Sequence, residues 1–350
     1  MMQDSTFQKL LANKLTLAGL MFIAIITCLA LFAYLIIDDP SPGANEQNAE
    51  IAIKPAGFKT DILQIKTNFT SETSFLSGFI KGYAPQYRVY PIKSFVKESD
   101  AYRVVTHYDQ EKRIPLSILY SAEVKSKIYW LGTDRYGRSI LSRLILGIRI
   151  SLLVGLLSVL ISLTVGVTLG AVAGYFGGWV DSIIMYFINV MWSIPTLLLV
   201  FAIVLAFGRG LSIIFLAVGL TMWVDVARIV RGQVLQLKKE QFVIAAKSLG
   251  QKDLVIISRH ILPNILGPIL VISAANFATA ILIEAGLSYL GFGVKPPTPS
   301  IGNMLNEHYG YAIAGKPLLA AVPALMIMLM VLAFNVVGNG LRDIFDVKSS

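Results

Sequence analysis

Three histidines, one cysteine and a few ionisable residues inside long apolar runs are what this chain of 350 residues offers for chemistry. His107, His260 and His308 are too scattered to argue for a metal site, and a solvated or hydrogen-bonded surface role is expected for each. Cys28 is alone within an apolar run, which excludes a disulfide within the chain. No G-x-x-x-x-G-K-S/T loop is present to cradle nucleotide phosphates. H-E-x-x-H, G-x-S-x-G and an acidic metal-binding cluster are also missing from the sequence. The expectation is a protein that is not an enzyme, with no catalytic residue, no metal and no cofactor of its own.

Charges inside membrane-length apolar segments are costly, so they are the next candidates. Glu284 lies toward the outer part of such a segment. It is either a contact in a translocation path, suited to a substrate amine, or one partner of an interhelical hydrogen bond or salt bridge. Asp225 and Arg228 are i, i+3 neighbours, for which a local ion pair is expected. Pro195 follows Trp192-Ser193-Ile194 and should kink its helix, a feature that can serve a moving gate. Glu284 and Pro195 are therefore the two candidates for a translocation path. Gly166 and Gly170 form a G-x-x-x-G pair, extended to Gly174, which predicts close helix–helix packing.

The elements that must position these residues follow from composition. The chain is 55% hydrophobic and 15% charged, with a mean hydropathy of +0.68, outside the range of soluble domains. It is a polytopic membrane protein, predicted to be all-α in its membrane part. Six segments are long and apolar enough to cross a bilayer: about 15–37, 147–173, 182–207, 211–230, 264–290 and 319–341. The first is expected to be a retained span, because no small-residue cleavage site follows it. The net charge of +9 forms no basic stripe, so nucleic acid is not an expected partner, and lipid headgroups are.

Orientation follows from the short loops. Lys9 and Lys14 flank the first span, Arg228, Arg231, Lys238, Lys239, Lys247, Lys252 and Arg259 surround residues 240–263, and Arg342 and Lys348 follow the last span. The positive-inside rule puts these regions, and both termini, in the cytoplasm. A polar insert, 38–130, then lies outside. Its alternating stretches Tyr87-Arg88-Val89-Tyr90 and Tyr102-Arg103-Val104-Val105 predict a small domain containing β structure. The expected organisation is 1–37 as start and first span, 38–130 as the extracytoplasmic insert, 131–346 as a five-helix core, and 347–350 as a cytoplasmic tail.

Within that core, residues 240–263 read as a polar hairpin between apolar segments. Phe242, Ala245, Ala246 and Leu249 share one helical face, Gly250 suits the left-handed position that ends a helix, and Asp253 suits the next N-cap. Leu254, Ile257 and Ile261 make a second stripe, closed by Pro263. The stretch resembles the E-A-A-x3-G-x9-I-x-L-P loop of ABC-importer permeases. Ala245, Ala246, Gly250, Leu262 and Pro263 match in register, while Ile244 stands at the motif's Glu and His260 at its first Ile.

Further blocks agree with the hairpin: Gly132-Thr133-Asp134 with Gly137-Arg138-Ser139, Ser193-Ile194-Pro195-Thr196, EAGLSYLGFGVKPPTPSIGNML, and Arg342-Asp343-Ile344-Phe345-Asp346. In order and spacing they resemble the C-type membrane subunit of bacterial dipeptide/oligopeptide ABC importers, from 131 to 346 but not in the insert. The resemblance implies a permease in the bacterial inner membrane, paired with a second permease subunit as a heterodimer. It implies two cytoplasmic ATPase subunits that bind the ATP, and an extracytoplasmic substrate-binding protein. It also implies coupling to the ATPases through Ala245, Ala246, Leu249, Gly250, Leu262 and Pro263. Peptides are the implied substrates; nickel or another small solute, or a non-transporting scaffold or receptor, are the alternatives.

Overall fold

The computed structural model describes residues 13–66, 74–85, 87–99, 101–115 and 122–346. Lys9, Lys348 and the tail 347–350, used above for orientation and organisation, lie outside the described residues. The first described element is α1 (Lys14–Leu31), N-capped by Asn13, whose side chain accepts from the Leu15 and Thr16 amides, and it continues as a short α2 (Ala33–Ile36). The insert follows, as β1 (Phe58–Lys66), α3 (Phe75–Lys81), β2 (Tyr87–Ile92), β3 (Ser94–Lys97), β4 (Ala101–Val105), β5 (Glu111–Pro115) and β6 (Ala122–Tyr129). The helical core comprises α4 (Ile140–Phe176), α5 (Gly178–Trp192), α6 (Thr196–Phe207) and α7 (Leu211–Leu237). It continues with α8 (Gln241–Ser248), α9 (Asp253–Val255), α10 (Leu266–Tyr289), α11 (Ile301–Ile313) and α12 (Leu318–Asp346).

Small residues decide how the long helices meet. A Cβ on Gly166 would lie 2.7 Å from the Trp223 carbonyl, one on Gly170 2.5 Å from that of Ala227, and one on Gly174 2.8 Å from that of Arg231. The backbones of α4 and α7 therefore touch along three turns, the close packing that the glycine spacing predicted. Across the bundle, Ile26, Ile140, Leu144, Ile281, Met304 and Met330 join α1, α4, α10, α11 and α12 in one apolar cluster. Phe277 and Phe334 stack between α10 and α12 with centroids 4.1 Å apart. Outward-facing Leu156, Leu160, Leu205 and Leu325 stay exposed, as lipid-facing positions do.

The insert holds two antiparallel three-stranded sheets, ordered β2-β1-β6 and β3-β4-β5, around Leu63, Ile92 and Val104. Both alternating stretches fall on strands, as their period requires. A turn at 131–139 clamps the insert to α4. A Cβ on Gly132 would lie 2.3 Å from the Lys54 carbonyl, and one on Gly137 1.8 Å from that of Asn48. Both glycines have positive φ, +81° and +74°, so their type is fixed twice over.

Several expectations are corrected. Pro195 does not kink a continuous third span. It separates α5 from α6, which meet at 88°, because the residue before proline leaves the helical region and Pro195 has no N–H to continue the ladder. Among the described residues, five helices are then long and apolar enough to cross a membrane, with the bent pair as the sixth candidate. Pro263 does not close the hairpin's second helix either. A π turn over Ile256–Ile261 and a 3-10 turn over Leu262–Ile265 carry α9 into α10 as one apolar run, Asp253–Tyr289. Pro263 sits in the first turn of the 3-10 segment, where a missing N–H is tolerated.

Asp253 is not an N-cap; Lys252 holds that position and Asp253 bonds elsewhere. Arg228 does not pair with Asp225, because its guanidinium lies 3.6 Å over the Trp192 ring. Nor are the histidines all superficial. His260 bonds Gln251 at 2.8 Å and His107 bonds Thr60 at 2.8 Å, but His308 is buried.

Candidate functional site

The hairpin of α8 and α9 is fastened to the end of α4 by one residue. The Tyr175 hydroxyl donates to Asp253 Oδ1 at 2.6 Å, while Lys238 Nζ donates to the Tyr175 carbonyl and lies over its ring. Tyr175 thus grips the approach to α8 and the start of α9 together. Tyr175 was not singled out from sequence and Lys238 only as an orientation charge, because their partners lie 78 and 63 residues away.

The apolar face expected for α8 is split in the structure. Val243 and Ala246 pack inward on Tyr175, Val230, Val234, Ile256 and Ile257. Phe242, Ala245 and Leu249 face out, with Leu249 81% exposed, and Leu254 of α9 joins them at 73%. Gly250 makes the corner at φ +74°, and a Cβ there would meet nothing within 4 Å. Backbone conformation alone therefore demands glycine. Leu262 is half-buried and Pro263 exposed where the hairpin turns into α10. The result is a rim of unpartnered apolar side chains, rigidly backed and flanked by Lys247 and Lys252.

Glu284 and Pro195 are not brought together with this rim or with one another. Glu284 is fully buried and ties three elements: its carboxylate accepts from Ser151 of α4 at 2.8 Å, from Ser288 of α10 at 2.7 Å, and from Ser300 at the start of α11. The Ser151 and Ser300 bonds are interhelical and the Ser288 bond lies within α10, without a salt bridge among the described residues. Pro195 is exposed at the corner between α5 and α6.

A second polar cluster fixes the outer end of α4. Asp134 accepts from the Tyr136 and Arg138 amides at 2.9 Å and pairs with the Arg138 guanidinium, which also reaches Glu307 at 2.8 Å. Arg143 donates to the carbonyls of Gly43 and Pro297, joining the insert's first loop to the segment before α11. Asp134, Glu307 and His308 lie close enough for a cation site that the sequence, with 172 residues between the first two, could not display. Arg138 already supplies that cation, so the donor set does not fit a metal ion. His308 presents Nδ1 to the Leu319 carbonyl at 3.0 Å and leaves Nε2 buried without a partner. Burial holds this imidazole below its ordinary pKa, outweighing the pull of Asp134 and Glu307.

The family described as binding-protein-dependent transport system inner membrane component matches residues 166–349. The chain belongs to that family. It is 40% identical over 232 residues to the oligopeptide transport system permease protein OppC of Bacillus subtilis (strain 168), covering 66% of this chain and 76% of the relative. It is equally 40% identical over 246 residues to the glutathione transport system permease protein GsiD of Escherichia coli O6:K15:H31, covering 70% and 80%. The dipeptide transport system permease protein DppC of Lactococcus lactis subsp. cremoris matches at 40% over 222 residues, 63% of this chain and 64% of the relative. This transport component is thus a multi-pass, mostly helical membrane permease. Its family match takes in the glycine row from Gly166, the bent pair, the hairpin and α10 to α12. The insert falls before that match.

Proposed function

We propose that this permease forms half of the translocation path of an ATP-driven importer for di- and oligopeptides. In this reading it pairs with a second permease subunit, takes peptide from an extracytoplasmic binding protein, and is driven by two cytoplasmic ATPase subunits that bind the ATP. The observation that carries the reading is the rim of Phe242, Ala245, Leu249 and Leu254 around Gly250. Such a patch is stable only when covered, and lysines beside it favour a soluble acidic-edged partner over lipid tails. The hairpin would seat in a groove of the ATPase, and the Tyr175 grip would pass its displacement to α4 and, through the glycine contacts, to α7. Peptides as cargo are supported by the oligopeptide, dipeptide and glutathione permeases among the relatives.

The same reading puts both termini and the hairpin in the cytoplasm of a bacterial cell and the insert outside the inner membrane. The test is uptake into proteoliposomes holding the assembled complex and its binding protein. Labelled tripeptide should accumulate only with ATP inside the compartment that faces the ATPases. Uptake that persists without ATP, or without the ATPase subunits, overturns the proposal.

A further inference from the structure

A cavity of about 680 Å³ lies in the insert, between residues 38–48 and the β2-β1-β6 sheet, and none of its walls belongs to the hairpin or to the residues of the family match. The loop wall is built by Asp39, whose carboxylate accepts from the Ser41 amide at 3.0 Å and the Glu46 amide at 2.9 Å. It is pinned by the Tyr83 amide, which donates to the Pro40 carbonyl at 2.8 Å. Asp39 is consumed by that architecture.

The sheet supplies the other wall. Ile62 stands opposite Pro91 on β2 and Lys125 on β6, and side chains two apart share a face. Ile62, Gln64, Tyr87, Val89 and Lys127 therefore line one face, while Leu63, Ile92 and Val124 point to the insert's own core. Arg88, next to Tyr87 on β2, also lines the cavity, so Lys127 and Arg88 are the cations it presents. Facing them are Asp38, exposed and without a hydrogen bond or ion pair among the described residues, and Glu46, whose carboxylate accepts only from the Asn48 side chain at 3.1 Å. Neither acid closes an ion pair with Lys127. Burial pushes the Glu46 carboxyl up despite the attraction of Lys127, which marks an acid short of a counter-ion.

Carboxylates without an ion pair on one wall face cations on the other, Arg88 and a Lys127 ammonium resting over the Tyr129 ring, across a space of small-molecule size, and this suits a ligand with opposite charges at its two ends. A diamine would leave Lys127 opposed, and a dicarboxylate would leave Asp38 and Glu46 opposed. The volume accommodates more than one residue between the termini, with Tyr83 and Tyr87 available to side chains. We propose that this cavity binds a short zwitterionic peptide, with its ammonium on Asp38 and Glu46 and its carboxylate on Lys127 and Arg88. It is a binding site on the insert, separate from the helical core, and it stands whether or not the core transports peptides.

The test is equilibrium binding of trialanine, N-acetyltrialanine and trialanine amide to the full chain in lipid nanodiscs. Trialanine should bind saturably, and each blocked form about tenfold more weakly, because each loses one charge-assisted contact. Lys127→Gln with Arg88→Gln should erase the preference for trialanine over its amide, and Asp38→Asn with Glu46→Gln should erase the preference over the acetylated form. Melting temperatures matching the parent would show that these changes leave the fold intact. Absence of saturable trialanine binding to the intact chain overturns the proposal. So does binding whose charge preferences are unchanged in both variants, since the peptide would then sit elsewhere. Uptake by the assembled complex is read separately, so a failure here leaves the transport reading untouched.

Discussion

The Arg138 guanidinium lies 2.6 Å from the Asp134 carboxylate, with both side chains sealed from solvent. Glu307 of α11 closes the cluster from the other side. Replacing Arg138 with Ala leaves buried Asp134 with only the more distant Arg143, at 3.9 Å, and partly buried Glu307 without its ion pair, a loss of about 3–5 kcal/mol. We expect a large drop in thermal stability for Arg138→Ala in detergent, and little rescue by Arg138→Lys, whose ammonium cannot serve both acids in this geometry. An Arg138→Ala protein as stable as the parent would show that the cluster contributes nothing.

The α4–α7 contact should be as sensitive. Any side chain at Gly170 must displace the Ala227 carbonyl, and overpacking of this kind costs about 1–3 kcal/mol. Gly170→Val should lower the melting temperature and weaken disulfide cross-linking between cysteines placed across α4 and α7. Gly232, which has open space around it, should accept Ala without effect. Equal responses at the two positions would count against backbone contact.

Gly250→Val separates folding from coupling. The position has open space but positive φ, so valine is strained through its backbone alone and tilts α8 against α9. Membrane insertion should be retained and ATP-driven uptake lost, whereas Gly250→Asn, which tolerates this conformation, should keep most of the uptake. Normal uptake by the valine variant would remove the hairpin from the coupling path.

His308 makes the outer end of the bundle sensitive to acid. Its pKa is depressed in the folded chain, so the unfolded chain takes up the proton first. Its contribution is complete above the ordinary value of about 6.5 and is lost as pH falls below that toward the folded value. Asp134 and Glu307 oppose the depression and Arg143 adds to it. The melting temperature should therefore fall between roughly pH 7.5 and 5.5, and fall less in His308→Gln. An identical pH profile in both proteins would exclude His308 as the sensor.

Topology is tested by labelling. Ser99 is exposed in the insert, and Cys28 is the single native thiol. In a Cys28→Ser background, Ser99→Cys should react with a membrane-impermeant thiol reagent added to intact spheroplasts. Reaction only after the cytoplasmic face is opened would invert the orientation and move the hairpin outside.

Membrane class, most span positions, the glycine row and the β character of the insert were legible in the sequence because each is a local periodicity or composition. Gly250 was legible too, since a turn between two short helices demands positive φ whatever surrounds it. The break at Pro195 was legible in place but not in size: proline dictates that the helix is interrupted, while packing of α5 and α6 sets the 88° angle. The face of α8 could not be read, because Val243 and Phe242 are equally apolar. Which of them turns inward depends on Tyr175, Val230 and Ile257, brought there by other helices. Glu284 was visible as a charge in a span, with Ser288 one turn along its own helix, but Ser151 and Ser300 come from other elements and only the fold assembles them. The same holds for Asp134 with Glu307 and for Asp38 with Lys127. Local sequence dictates backbone geometry and apolar period, whereas the pairing of charges depends on through-space distance, which tertiary structure alone decides.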